Sequence, residues 1–169
     1  ALLKTDLQRF PYYRWLDVNH ISLVQNETYY KINFAEKTLV YSFTMPKHVA
    51  NFTPAAKGDV FAFTRKNNLF YCDKNGNVFS VTNDADTNIV NGQSVSRNEF
   101  GIAGGIFWSP DGTKLAYYRK DESAVATFPL LDINTRTGSL KNIKYPMAGM
   151  PSENVQLVVF DLALQTYKT

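Results

Sequence analysis

The chain has 169 residues, enough for one domain with one sizeable core, and its net charge of +3 with no Lys/Arg stripe gives no footing for nucleic-acid binding. Aromatic residues make up 14%, with ten Tyr and twelve Phe, which tilts the composition towards pleated, half-buried β-structure. A single cysteine, Cys72, excludes an internal disulfide and reads as a half-buried strand thiol; no apolar run approaches the 18 or so residues of a membrane span.

Short alternating or aromatic-rich runs follow one another along the chain, each closed by a turn signal. His20–Val24 and Thr28–Phe34 flank a turn at Asn26-Glu27, and Thr38–Thr44 is the next strand. Asp59–Thr64, Leu69–Asp73 and Val78–Thr82 come next, with Asn75-Gly76 read as a type I′ hairpin turn. Gly101–Trp108, Lys114–Arg119, Thr127–Asn134 and Leu140–Lys144 continue the series, and Val155–Leu162 opens another strand.

An internal repeat organises these strands. One copy runs from Phe52-Thr53-Pro54 through Val60–Lys66. A second runs from Trp108-Ser109-Pro110-Asp111-Gly112 through Leu115–Lys120. A weaker one joins Arg14-Trp15-Leu16-Asp17 to Ile21–Val24. The shared pattern is an aromatic, a polar residue, a turn and an alternating strand, and it aligns Phe52 with Trp108. The steps are about 37 and about 56 residues, the length of a four-stranded propeller blade and of a blade with an insertion. The excess falls on residues 84–105, which do not alternate. The expected architecture is therefore all-β: antiparallel four-stranded meanders, about three to four blades of a larger propeller. The blades are placed at 10–45, 46–83 and 106–149, with the start of another at 150–169.

Metal and nucleophile chemistry find no support in the residues. His20 and His48 lack partners at ligand spacing. No Gly-x-Ser-x-Gly elbow occurs, and no His follows His48. Ser109 belongs to a turn signature, so the chain by itself is expected to be non-catalytic and cofactor-free.

The ordered combination Val95-Ser96-Arg97-Asn98-Glu99-Phe100-Gly101-Ile102, Phe107–Gly112 and Leu115–Arg119 resembles the dipeptidyl peptidase IV family of prolyl oligopeptidase-type serine peptidases, in its bacterial-type N-terminal propeller region. Arg65–Phe70, Asn88–Gly92 and Lys144–Gly149 followed by Asn154-Val155 extend the likeness, which covers residues 49–162. The resemblance implies a short helical excursion whose two acids hold the substrate's α-ammonium, a ruler for dipeptide-length ends. Here those positions carry Asn98 and Glu99, one amide carbonyl and one carboxylate. Arg97 and Phe100 are expected to support them, Arg97 by a salt bridge within the excursion and Phe100 by packing it back onto the blade before the turn at Gly101. The resemblance further implies peptide N-termini as ligands, a C-terminal α/β-hydrolase domain outside this chain, a homodimer of the full-length protein, and a periplasmic or extracellular location. A non-catalytic propeller serving as a binding or scaffold module stands as the alternative.

Overall fold

The computed structural model describes residues 11–169, the Arg97 side chain excepted. Residue 10, at the edge of the first expected blade, lies outside the described residues. The first sheet is a meander of β1 (Tyr13–Trp15), β2 (His20–Gln25), β3 (Thr28–Asn33) and β4 (Thr38–Thr44) in spatial order. Gln25 pairs with Thr28 across Asn26 and Glu27, both at positive φ (48° and 59°). That is the geometry of a type I′ turn, whose twist matches that of the strands.

The second sheet repeats the meander with β5 (Ala50–Pro54), β6 (Val60–Arg65), β7 (Asn68–Asp73) and β8 (Val78–Ser80). Its β7–β8 connection differs from the two-residue turn expected at Asn75-Gly76. Asp73 N–H donates to the Asn77 carbonyl (3.2 Å), so three residues form the loop and only Gly76 of that pair is left-handed (φ +84°). The Asp73 carboxylate accepts the Asn75 and Asn77 amides, each at 2.9 Å, which rewards the wider loop.

The third sheet contains β9 (Ile89–Asn91), β10 (Ile106–Trp108), β11 (Lys114–Asp121), β14 (Asn154–Asp161) and β15 (Thr166–Lys168), ordered β10-β11-β14-β15 with β9 also on β11. The intervening strands β12 (Thr127–Asp132) and β13 (Ser139–Lys144) pair only with each other. This corrects the expected boundaries: 106–149 does not form the third blade, and 150–169 does not open a fourth. All eight residues of β11 pair with β14, whose Val158 and Phe160 are buried, while β12 is almost wholly exposed. Burial of the β14 apolar face decides the pairing, and the β12–β13 hairpin projects from the blade.

Two aromatic clusters join the sheets face to face. Tyr29 and Phe43 of the first sheet meet Phe61, Phe63 and Cys72 of the second. Ala62, Leu69, Tyr71 and Val81 then meet Ile106, Leu115, Tyr117, Val158 and Phe160 of the third. The second sheet thus buries both of its faces against neighbouring sheets, as a propeller blade does. Burial pushes the Cys72 thiol up to about 12, with the Asp73 charge adding to the rise. A thiol so raised is an inert core group.

The repeat is real, but its register differs by two residues from the expected one. Ala55 N–H bonds Val60 O and Gly58 N–H bonds Ala55 O; Ser109 N–H bonds Lys114 O and Gly112 N–H bonds Ser109 O. Pro54, paired with Phe61, therefore occupies the place of Trp108, paired with Leu115, and Phe52 does not. Trp15, paired with Ile21, stands at the same place in the first sheet. The Trp108 indole instead reaches between blades, donating to Thr53 O at 2.9 Å.

The Trp-Ser-Pro-Asp-Gly turn is closed by Asp111, which accepts the Ser109 hydroxyl (2.6 Å), the Thr113 amide (3.1 Å) and the Thr113 hydroxyl (2.9 Å). These bonds, the Ser109 hydroxyl first, hold its carboxyl down at about 2 from an ordinary 3.8. A depressed carboxyl contributes stability above its unfolded value and loses it as pH falls through the folded one. The Tm gap between the parent and Asp111→Asn should therefore be full at pH 5 and close between about 4 and about 2. Thermal melts across that range test it; a gap constant with pH would refute the carboxylate's role.

Candidate functional site

Residues 84–105 were expected to leave the blade as one insertion, and the structure narrows that excursion to its second half. Ile89, Val90 and Asn91 are buried on the edge of β11, where Arg119 pairs with Asn91. The Asn91 amide nitrogen donates to Asn67 O (3.1 Å) and to the Asp84 carboxylate (2.9 Å), which also holds Arg119 at 3.3 Å. These bonds satisfy most of a buried polar cluster and keep the segment on the sheet.

The chain departs and returns at one residue of β11. Gly92 N–H donates to Tyr118 O (2.9 Å), and Tyr118 N–H donates to Gly105 O (3.0 Å). Residues 93–104 form a loop with adjoining ends, the geometry of an Ω-loop. Gln93 ties its base to the β6–β7 turn through Lys66 O (3.0 Å), and buried Val95 plugs it against the protein.

Beyond Val95 the backbone turns sharply. Ser96–Asn98 is a single 3-10 turn in which Asn98 N–H bonds Val95 O (3.2 Å) and Glu99 N–H bonds Ser96 O (2.9 Å). Ser96, Asn98 and Phe100 all take left-handed φ (51°, 61° and 55°), followed by Gly101 at 74°. Such conformations cost of order 1–3 kcal/mol each in a side-chain-bearing residue and cluster where a loop is held for function.

Glu99 and Phe100 line a cleft of about 250 Å³ with Tyr145, Pro146 and Glu153 from the passage between β13 and β14. Glu99 is exposed, its carboxylate open to a cationic ligand. Asn98 is exposed and lies outside the cleft lining. The Arg97 side chain lies outside the described residues. Phe100 does not pack the excursion onto the blade as expected: it is 87% exposed. Val95, at the base of the loop, is the buried apolar residue of the excursion instead.

Glu153 was not anticipated. One carboxylate oxygen accepts the Ser96 amide at 3.2 Å and the other accepts the Ser152 hydroxyl at 3.0 Å. Partial burial works to raise its carboxyl, but hydrogen bonds from its own amide, Ser152 and Ser96, with the Lys120 charge, outweigh that and hold it below its usual range. Nothing in the sequence couples positions 96 and 153; only the unusual hairpin connection brings them together. Among the described residues no three His, Cys, Asp or Glu side chains converge as a metal site would need.

Three packed antiparallel blades, one carrying a loop that sets an exposed Glu99 on a cleft, define part of a β-propeller domain. The family described as "Dipeptidyl peptidase IV (DPP IV) N-terminal region" matches residues 19–169, and the chain belongs to that family. It is 33% identical over 129 residues to a protein of Coccidioides posadasii named as a dipeptidyl-aminopeptidase B, covering 68% of this chain and 14% of that protein. A Chaetomium globosum protein of the same name is 32% identical over 122 residues, 62% of this chain and 13% of that one. A Bacteroides ovatus structure assigned as a dipeptidyl aminopeptidase IV superposes with a TM-score of 0.76 at 37% identity, over 91% of this chain and 21% of that one. Porphyromonas gingivalis dipeptidyl peptidase 4 does so with a TM-score of 0.68 at 26% identity, over 89% and 24%. The chain thus spans about a seventh of the length of these curated relatives and under a quarter of these structures.

Proposed function

We propose that this chain is the substrate-gating, N-terminus-anchoring portion of the propeller of a serine exopeptidase that releases dipeptides from peptide N-termini. The hydrolase chemistry belongs to a C-terminal α/β-hydrolase domain of the same protein. The observation that carries the proposal is the position of Glu99. It sits on a loop pinned at both ends to Tyr118, on the edge of a cleft, in a chain matched by the family over residues 19–169. A carboxylate so placed accepts charge-assisted hydrogen bonds from an α-ammonium group, and a fixed anchor measures the distance from that group to the scissile bond. Asn98, the neutral member of the pair, precedes it on the 3-10 turn but lies outside the cleft lining, so the anchor rests on Glu99.

Glu99→Gln in the intact protein keeps the shape and removes the charge. A lost hydrogen bond to a charged group costs about 1.5–3 kcal/mol, so kcat/KM on a glycyl-prolyl chromogenic substrate should fall about 10- to 150-fold. A change of less than about twofold would remove Glu99 from the anchor. Absence of peptidase activity from the intact parent protein, alongside capture of some other ligand, would favour the scaffold-module alternative.

A further inference from the structure

We infer that Glu153 is a positioning residue for the amine anchor, holding the excursion in the shape that presents Glu99. This rests on the proposed role of Glu99. The neck of the loop is fixed at Gly92 and Gly105, and Gln93 reinforces only the base. The turn that carries Glu99 lies further out. There the Glu153 carboxylate accepts the Ser96 amide, and Ser96 in turn accepts the Glu99 amide through its carbonyl. One residue, Ser96, thus links the two glutamates: its N–H is held by Glu153 and its carbonyl holds the Glu99 amide.

The bond spans 57 positions of sequence and joins the excursion to the strap between the β12–β13 hairpin and β14. Its geometry favours an anchoring role over a surface ion pair. Both carboxylate oxygens are occupied, one by Ser96 and one by Ser152, and the donor is a backbone amide at the start of the 3-10 turn. Ser96, Asn98 and Phe100 hold left-handed backbone that relaxes if the tether is cut. Glu153 also lines the cleft itself, so a ligand held by Glu99 closes over the same tether.

The test is a double-mutant cycle in the intact protein, read as kcat/KM on a glycyl-prolyl chromogenic substrate. Glu153→Ala should lower it about tenfold with Tm within about two degrees of the parent, and hydrogen exchange at the Ser96 amide should quicken. Glu153→Gln, which keeps an acceptor oxygen for Ser96 while Ser152 accepts from the new amide, should recover to within about twofold. In a Glu99→Gln background, Glu153→Ala should change kcat/KM by less than about twofold, because its effect passes through Glu99. If Glu99→Gln alone is deleterious but Glu153→Ala is silent, adds in full, or is not rescued by Gln, the positioning role is overturned and the anchor stands. If Glu99→Gln is itself silent, the anchor fails and the role of Glu153 falls with it.

Discussion

Phe61→Ala is expected to destabilise the blades by about 3–5 kcal/mol, the range for truncating a fully buried aromatic ring. Phe61 on β6 is 0% exposed and lies where the first and second sheets meet. Its ring centroid is 4.6 Å from that of Tyr29, 4.8 Å from Phe43 and 5.4 Å from Phe52. Pairs at these separations and tilts add to the area buried. The alanine leaves a void that these three rings fill only by leaving their own contacts. Amide exchange along β3, β6 and β7 should accelerate together, since the cavity opens both sheets. Phe107→Ala, on a residue 42% exposed, is the control and should cost far less. A Phe61→Ala loss below about 1 kcal/mol would mean that the two sheets are not held by this cluster.

The strands were legible because a half-buried strand writes its own period. Ile21, Leu23 and Ile32 alternate towards the core, and Asn26-Glu27 marks the turn that joins their strands. Pairing was less legible, because alternation shows that a segment is extended and not which strand lies beside it. Thr127–Asp132 and Ser139–Lys144 have a valid strand pattern, and they form a hairpin that leaves the blade; the third blade closes through Val158 and Phe160 instead. The Trp108 register slipped for a related reason: an aromatic before a proline was matched to its likeness, whereas the hydrogen bonds align Trp108 with Pro54. At the candidate site, Glu99 was visible through the resemblance of its neighbourhood. Phe100 was misplaced because a left-handed φ at a bulky residue has no sequence signature. Glu153 was missed because its contact with Ser96 depends on two excursions meeting.

Gly105→Ala is expected to join the largest effects in both stability and function, because it strikes the neck of the excursion. An added Cβ at Gly105 would lie far inside contact distance of the Gln93 carbonyl carbon and oxygen and 2.8 Å from the Gln93 nitrogen. These are backbone atoms, so no rotamer change relieves the overlap. Gln93 is held from its other side by Lys66, Gly92 is bonded to Tyr118, and Gly105 itself accepts the Tyr118 amide. The strain must open the neck, and every residue hung from it moves, Ser96 and Glu99 included. Overpacking of a fixed site costs about 1–3 kcal/mol and occasionally more, and a backbone-on-backbone overlap belongs at the upper end. On the proposed anchoring role of Glu99, kcat/KM of the intact protein on a free N-terminal substrate should fall at least as far as in Glu99→Gln, because the displaced carboxylate would no longer meet the ammonium. Gly104→Ala is the matched control one residue away: its added Cβ would meet nothing within 4 Å, so its cost should stay within about 0.5 kcal/mol. Denaturant melts and substrate kinetics on the two variants decide the matter, and indistinguishable behaviour would show that the loop is not braced at Gln93 and Gly105.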